Sequence, residues 1–309
     1  VKFITVELNL GLEIFDFKLQ LSQKSCFKIL DCYYSNYYWD DSGKHIRASV
    51  YISAKEEEES ELTLGQLAIE KIKRANAIMS FLYGFYFETH LEGYDSCRKV
   101  EKIEHQEYLP QKGNGERIKK FVRMYSDLSE SDKKEFEQCC RLFSMAIYLV
   151  YKYDFHEDAI LNYAKVMEML STDYWRTQIT EQYNNDVKLQ FQEMIGKYFY
   201  EDYSDSLHKR DLNIITKELT NMISLRRKMV KFAEDKDIRV TIDQNSNVKD
   251  FIKGIVNFRN DVAHGNMIYQ PLQQQRDLSY CGLVLSLEFI SKYYFDADYS
   301  KVGLNKTIK

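Results

Sequence analysis

The sequence predicts an α+β protein, with a strand-rich N-terminal domain over residues 1–128 and an all-helical bundle over residues 129–309. Three observations carry that expectation. Between Phe3 and Ile52, apolar and polar residues alternate in three runs, the period of a strand with one buried face. From about Ser131 onward, apolar residues recur at three- and four-residue spacing, which gathers them on one side of a helix. The chain has 2 prolines and 12 glycines in 309 residues, so little in it interrupts long helices.

The elements follow in chain order. Ile4, Val6, Leu8 and Leu10 interleave with Phe3, Thr5, Glu7 and Asn9 as a first strand. Phe15, Phe17, Leu19 and Leu21 give a second, and Ile46, Ala48, Val50 and Ile52 a third. Between these two lies the aromatic patch Tyr33 to Trp39. It reads either as a stacking platform for bases or as half-buried strand residues, the reading that strand propensity favours. The acidic run Lys55 to Glu61 is expected as a solvated loop or helix entry. A helix is expected from Leu62 to about Thr89, on the spacing of Leu64, Leu67, Ala68, Ile72, Ala75, Ile78 and Leu82. Glu101 to Asp127 is mixed, and Pro110 with Gly113, Asn114 and Gly115 marks a linker and the domain boundary. Ser131 is the expected N-cap of the next helix, which runs through Phe143, Ala146, Ile147 and Val150. Further helices are expected over 157–175, the tyrosine-rich 183–203, 206–234 (one or two), 248–258 and 272–295.

Bulk properties narrow the function. The formal net charge is −4, which counts against a general nucleic-acid coat protein and leaves room for an enzyme with a local basic patch. Six cysteines are scattered without a C-x-x-C and without zinc-ligand spacing to the histidines, as in a reduced, cytoplasmic protein. No metal or other cofactor is expected. No apolar run approaches the roughly 20 residues of a membrane span, so no membrane partner is expected. There is no Walker-type phosphate loop, no G-x-S-x-G and no H-E-x-x-H.

One stretch carries chemistry: Phe258-Arg259-Asn260-Asp261-Val262-Ala263-His264-Gly265. Arginine presents a permanently charged, planar fork of donors to phosphate oxygens. Histidine is the side chain that ordinarily both takes and gives a proton near neutral pH. Together they suit metal-free RNA cleavage, histidine moving the proton of the 2′-hydroxyl or the leaving 5′-oxygen and arginine neutralising charge on phosphorus. A bare R-x4-H arises by chance in roughly a third of chains this long, and an asparagine directly after the arginine cuts that to about one or two per cent. The competing reading makes Arg259 and Asn260 a polar helix start and His264 a satisfied, partly buried histidine. Lys209, Arg210, Arg226, Arg227, Lys228 and Lys231 form a basic cluster, read either as phosphate-tracking or as a solvated helix face. The second reading is favoured by the acids that follow at Glu234, Asp235 and Asp237.

The motif resembles the signature of HEPN domains, all-helical modules whose catalytic members are metal-independent ribonucleases with an R-x4-6-H motif. Asp158 to Leu170, with Lys165, Glu168 and Leu170 as K-x-x-E-x-L, resembles a helix of the ApeA-like branch. The resemblance covers roughly residues 135–298. It implies that Arg259 and His264 are the catalytic pair and that Asn260 positions them. It also implies a homodimer with a composite active site, an RNA substrate (tRNA among the candidates), and a toxin-like or anti-phage role. Arg226, Arg227, Lys228 and Lys231 become candidate RNA contacts, and Glu168 a candidate support for Arg259 through a bidentate pair or simply a structural ion pair. On a helix the catalytic pair would stand about 140° apart, able to border a groove closed by a second copy. Two residues after the histidine stands Asn266, where some toxin members carry a modifiable tyrosine, so that regulation is not carried over. The alternative is a catalytically silent HEPN module for dimerisation or protein binding. A cutting enzyme needs restraint, from a regulatory ligand or partner protein, and the N-terminal domain is the expected sensor.

Overall fold

The computed structural model describes residues 2–11, 27–30, 32–34, 45–54, 61–84, 86, 97–100, 114–182, 223–240, 247–265 and 271–303. The N-terminal strands pair through their backbones as β1 (Lys2–Gly11), β2 (Phe27–Ile29), β3 (Cys32–Tyr34), β4 (His45–Ala54) and β5 (Cys97–Val100), in the order β2-β3-β4-β1-β5. β1 runs antiparallel to β4, from Lys2 opposite Ala54 to Gly11 opposite His45. The expected strand over Phe15–Leu21, most of the Tyr33–Trp39 patch and the acidic run up to Ser60 fall outside the described residues, while Glu61 opens the first helix.

From Glu61 on, the described chain is helical apart from β5 and short connections. The helices are α1 (Glu61–Tyr83), α2 (Asn114–Ser126), α3 (Glu130–Tyr153), α4 (His156–Gln182), α5 (Leu225–Asp235), α6 (Val248–Ala263), α7 (Leu272–Phe295) and α8 (Tyr299–Val302). None of them is long and apolar enough to cross a membrane. Three expectations are corrected. α1 stops at Tyr83 because Gly84 turns left-handed (φ 69°), short of Thr89. Asn114 opens a helix where Gly113 to Gly115 had suggested a linker. The cap of α3 is Ser129, not Ser131: its hydroxyl accepts the Asp132 amide at 3.1 Å. The expected helix over 183–203 and the first part of that over 206–234 lie outside the described residues.

By compactness the chain divides into Val1–Ala159 with Tyr294–Lys309, and Ile160–Tyr293. These units do not coincide with the expected 1–128 and 129–309. The reason is visible in the first unit, where α3 shares its core with α1 and α2. Phe136 of α3 is fully buried, with ring centroids 5.5 Å from Phe81, 6.0 Å from Phe121 and 5.4 Å from both Tyr294 and Phe295. Beside it, Arg74 Nε and Nη2 donate to the two oxygens of Glu137 at 2.8 and 2.9 Å, and the Tyr125 hydroxyl donates to the same carboxylate at 2.7 Å. Burial and the Glu137 carboxylate push the Tyr125 phenol well above its usual range. The Tyr299 hydroxyl shares its proton between the Phe81 and Leu82 carbonyls at 2.8 and 2.9 Å, tying α8 to the end of α1.

The second unit carries the arginine–histidine motif. Its core sets Phe232 of α5 against Phe289 of α7 at 4.8 Å and edge-on to Tyr174 of α4 at 5.1 Å. The Tyr174 hydroxyl reaches Asp235 at 3.0 Å, and the Tyr293 hydroxyl donates to Asp173. Gly282 of α7 lies against Tyr163 of α4: a Cβ there would come within 2.8 Å of the tyrosine ring, so only glycine lets the two helices approach this closely.

Candidate functional site

α6 presents the motif at its C-terminal end. Asn247 caps its start by accepting the Asp250 amide at 3.1 Å. Ile252, Ile255, Val256 and Phe258 are buried, and that apolar stripe fixes the rotation of the helix. Arg259 and Asn260, one turn before the end, lie at the margin of the buried face and are half-buried. The helix continues to Ala263, so the motif closes a helix and does not open one; the polar-start reading is corrected. His264 is the C-cap residue, its amide donating to the Asn260 carbonyl at 2.9 Å. Gly265 then turns left-handed (φ 69°), the conformation that ends a helix at low cost only for glycine.

The Arg259 guanidinium is held on two sides. Nη1 donates to Asn260 Oδ1 at 3.1 Å, and Nη2 faces both carboxylate oxygens of Glu168, at 3.4 and 3.2 Å. Glu168 lies on α4, 91 positions away in sequence. The contact uses one nitrogen, so it is not the fork-to-fork bidentate geometry of the sequence expectation. Both side chains stay about a third exposed, 36% for Arg259 and 37% for Glu168. Among the described residues these contacts engage Nη1 and Nη2 of the guanidinium and leave Nε without a partner. Asn260 thus braces the arginine.

The exposed His264 imidazole has no hydrogen-bond or ion-pair partner among the described residues. The partly buried histidine of the competing reading is therefore corrected to an exposed one. The pair lies on the same terminal stretch of α6, open to solvent.

The basic cluster separates into different environments. Arg226 and Arg227 are exposed at the start of α5. Lys231 is exposed and bonded to Asp235 at 2.5 Å, an i,i+4 pair that raises its pKa. Lys228 differs: only 7% of it is exposed. Burial draws its ammonium below the usual lysine range, the nearby Glu168 carboxylate opposes that, and Arg176 reinforces it. Of the four predicted RNA contacts, Lys228 alone is buried and feels the charge of Glu168, with no ion pair to it. Lys209 and Arg210 lie outside the described residues. Spacing held the signal: Lys228 stands four residues before Phe232 and next to Met229, both buried, and so shares their face. Arg176, one of the cations near Lys228, was not singled out by sequence; it stands on α4 two turns after Glu168, within 3.6 Å of Asp173.

Compared with family models, with curated proteins and with solved structures, the chain gave no match.

Proposed function

We propose that this protein is a metal-independent endoribonuclease of HEPN type, with Arg259 and His264 as its catalytic pair. The carrying observation is the end of α6, where a braced, partly exposed guanidinium precedes by five positions an exposed imidazole with no partner among the described residues. In the proposed reaction a histidine accepts the 2′-hydroxyl proton, the 2′-oxygen attacks phosphorus, and the 5′-oxygen leaves after protonation. A 2′,3′-cyclic phosphate and a 5′-hydroxyl result. Arg259 offsets the charge that builds on the phosphoryl oxygens. One motif histidine per chain suits a homodimer in which facing motifs supply the base and the acid. The strand-bearing N-terminal part would sense a trigger, and a cytoplasmic toxin-like or anti-phage role fits such an enzyme.

The Arg259–Glu168 ion pair also suits the alternative, a silent module in which the arginine serves only the fold. The two readings separate in one experiment: cleavage of total RNA and tRNA by the purified chain in EDTA, beside Arg259→Ala and His264→Ala. The ribonuclease reading expects EDTA-resistant cleavage that falls about a hundredfold or more in each variant, with 2′,3′-cyclic ends on the products. Activity that requires magnesium or survives both substitutions sinks the assignment. Absence of cutting, even with lysate from infected cells added as trigger, favours the silent module.

A further inference from the structure

Exposed apolar side chains are not spread evenly over the molecule. Of the seven large ones that are exposed among the described residues, Met145, Tyr151, Tyr153 and Phe155 fall between positions 145 and 155, at the end of α3 and in the turn after it. Scattered residues of this kind mean little, but a cluster marks an interaction surface. The cluster is built as a ladder of rings. Tyr86 lies against Tyr148 with centroids 4.9 Å apart, Tyr148 is edge-on to Tyr153 at 5.5 Å, and Tyr153 is stacked on Phe155 at 5.5 Å. The Tyr148 and Tyr153 hydroxyls are 3.1 Å apart and share a hydrogen bond, which steadies the ladder. Its outer ring, Phe155, is 52% exposed.

The solvent side of α3 leads to this ladder. Lys134, Gln138, Arg141, Met145, Tyr148 and Lys152 follow at alternating four- and three-residue steps, and so share one side of the helix. All are exposed except Tyr148, which is half-buried. Three are cations and none is an acid. Arg141 has no hydrogen-bond or ion-pair partner among the described residues. The acids nearby are placed otherwise. Glu130, at the edge of this side, is bonded to Lys133 at 2.8 Å, and Glu135 turns about 100° away from Lys134. Asp154 Oδ1 lies 2.9 Å from His156 Nε2, and Glu157 and Asp158 sit in the first turn of α4, whose positive end offsets them. Lys134 and Lys152 are about 27 Å apart along the helix, the length of about eight stacked nucleotides. Cations at intervals followed by stacked rings suit a single strand, phosphates along the former and a base on the latter. The patch is aromatic more than aliphatic, which favours base faces over a lipid surface.

We propose that the solvent side of α3 and the turn at Tyr153 and Phe155 form a binding surface for single-stranded RNA. Lys134, Arg141 and Lys152 follow the phosphate backbone, and Phe155 extends the ring ladder by stacking on an unpaired base. That the strand is RNA rests on the ribonuclease reading. The surface itself belongs to the first compact unit and uses no residue of the arginine–histidine motif.

The test is fluorescence anisotropy of the full-length protein with a labelled 2′-O-methyl oligouridylate of about ten nucleotides, which cannot be cut and keeps its bases unpaired. Phe155→Ala is expected to weaken binding about fivefold or more, the loss of one stacked base. Lys134→Gln combined with Arg141→Gln should weaken it too, and should flatten the slope of log Kd against log salt by about 1.4, the share of two phosphate contacts on a single strand. An RNA duplex of the same length hides its base faces and should bind about tenfold more weakly than the strand. The control Arg239→Gln, exposed in the other unit, stays within about twofold. All these positions are exposed, so the variants should unfold in urea as the wild type does. A wild type that does not bind the strand overturns the proposal. So does wild-type affinity in either folded variant, or a duplex held as tightly as the strand; the aromatic turn is then left to a protein partner. The arms also separate the two readings. A strand held through Arg141 and Phe155 by a chain that cuts no RNA keeps the surface and sinks the ribonuclease. Cleavage that needs Arg259 and His264, with binding unchanged in both variants, does the reverse.

Discussion

Two arginine–glutamate pairs, one in each compact unit, show what a shared chemistry does under different packing. In the first unit Arg74 meets Glu137 with two nitrogens on two oxygens, at 2.8 and 2.9 Å, and Tyr125 adds a third donor. The carboxylate is 10% exposed. In the second unit Arg259 meets Glu168 through one nitrogen at 3.2 and 3.4 Å, with both partners about a third exposed. The first carboxylate is saturated and sealed beneath an aromatic cluster. The second is loosely held and partly exposed. A saturated pair stabilises; an unsaturated one is available to a ligand.

The largest effect expected in a test of this contrast is at the aromatic cluster that seals the first pair. Phe136→Ala should cost about 3–5 kcal/mol in urea unfolding, from lost burial and the cavity left among five rings. A cost below about 1 kcal/mol would mean that the cluster does not seal the pair at all. Next comes the pair itself. Glu137→Gln should lose about 1–3 kcal/mol, since it weakens three charge-assisted contacts to a carboxylate that is only 10% exposed, although Arg74 is 48% exposed. Glu168→Gln should lose under about 1 kcal/mol, because its pair is exposed and screened. Equal losses at the two positions would erase the distinction. The smallest perturbation is a chemical probe. Burial pushes the Cys139 thiol up to about 12 and Cys140 well above its usual value. Thiolate is the reactive form and becomes populated only as pH rises through the pKa, so at pH 8 neither should react with a disulfide reagent until the protein unfolds. Rapid native labelling of either would show that the first unit opens readily.

Much of the helical architecture was legible. Leu272 and Phe295 bound α7 as expected, because a long amphipathic run after Pro271 has one natural start. α2 was missed because Gly113 and Gly115 look like breakers. Its own pattern, Ile118, Phe121 and Tyr125, is nevertheless helical, and burial of the first two outweighs the glycine cost. At the site, the Glu168–Arg259 encounter followed from the motif and a carboxylate on the resembling helix. What the sequence could not express was how unequal the four basic residues of α5 are. Their environments depend on which arc of the helix the tertiary packing covers, and that arc includes Lys228 while leaving Arg226, Arg227 and Lys231 in water.

The aromatic cluster around Phe136 also bears on where the chain can be cut. A fragment begun at residue 129 keeps α3 whole but discards Phe81, Phe121 and Tyr125, together with Arg74. In such a piece Phe136 would keep Tyr294 and Phe295 but present its other side to solvent, with the Glu137 carboxylate stripped of its guanidinium and its hydroxyl. A patch of that kind drives self-association. A cut at residue 129 would therefore part α3 from the rings of α1 and α2 while leaving it those of Tyr294 and Phe295.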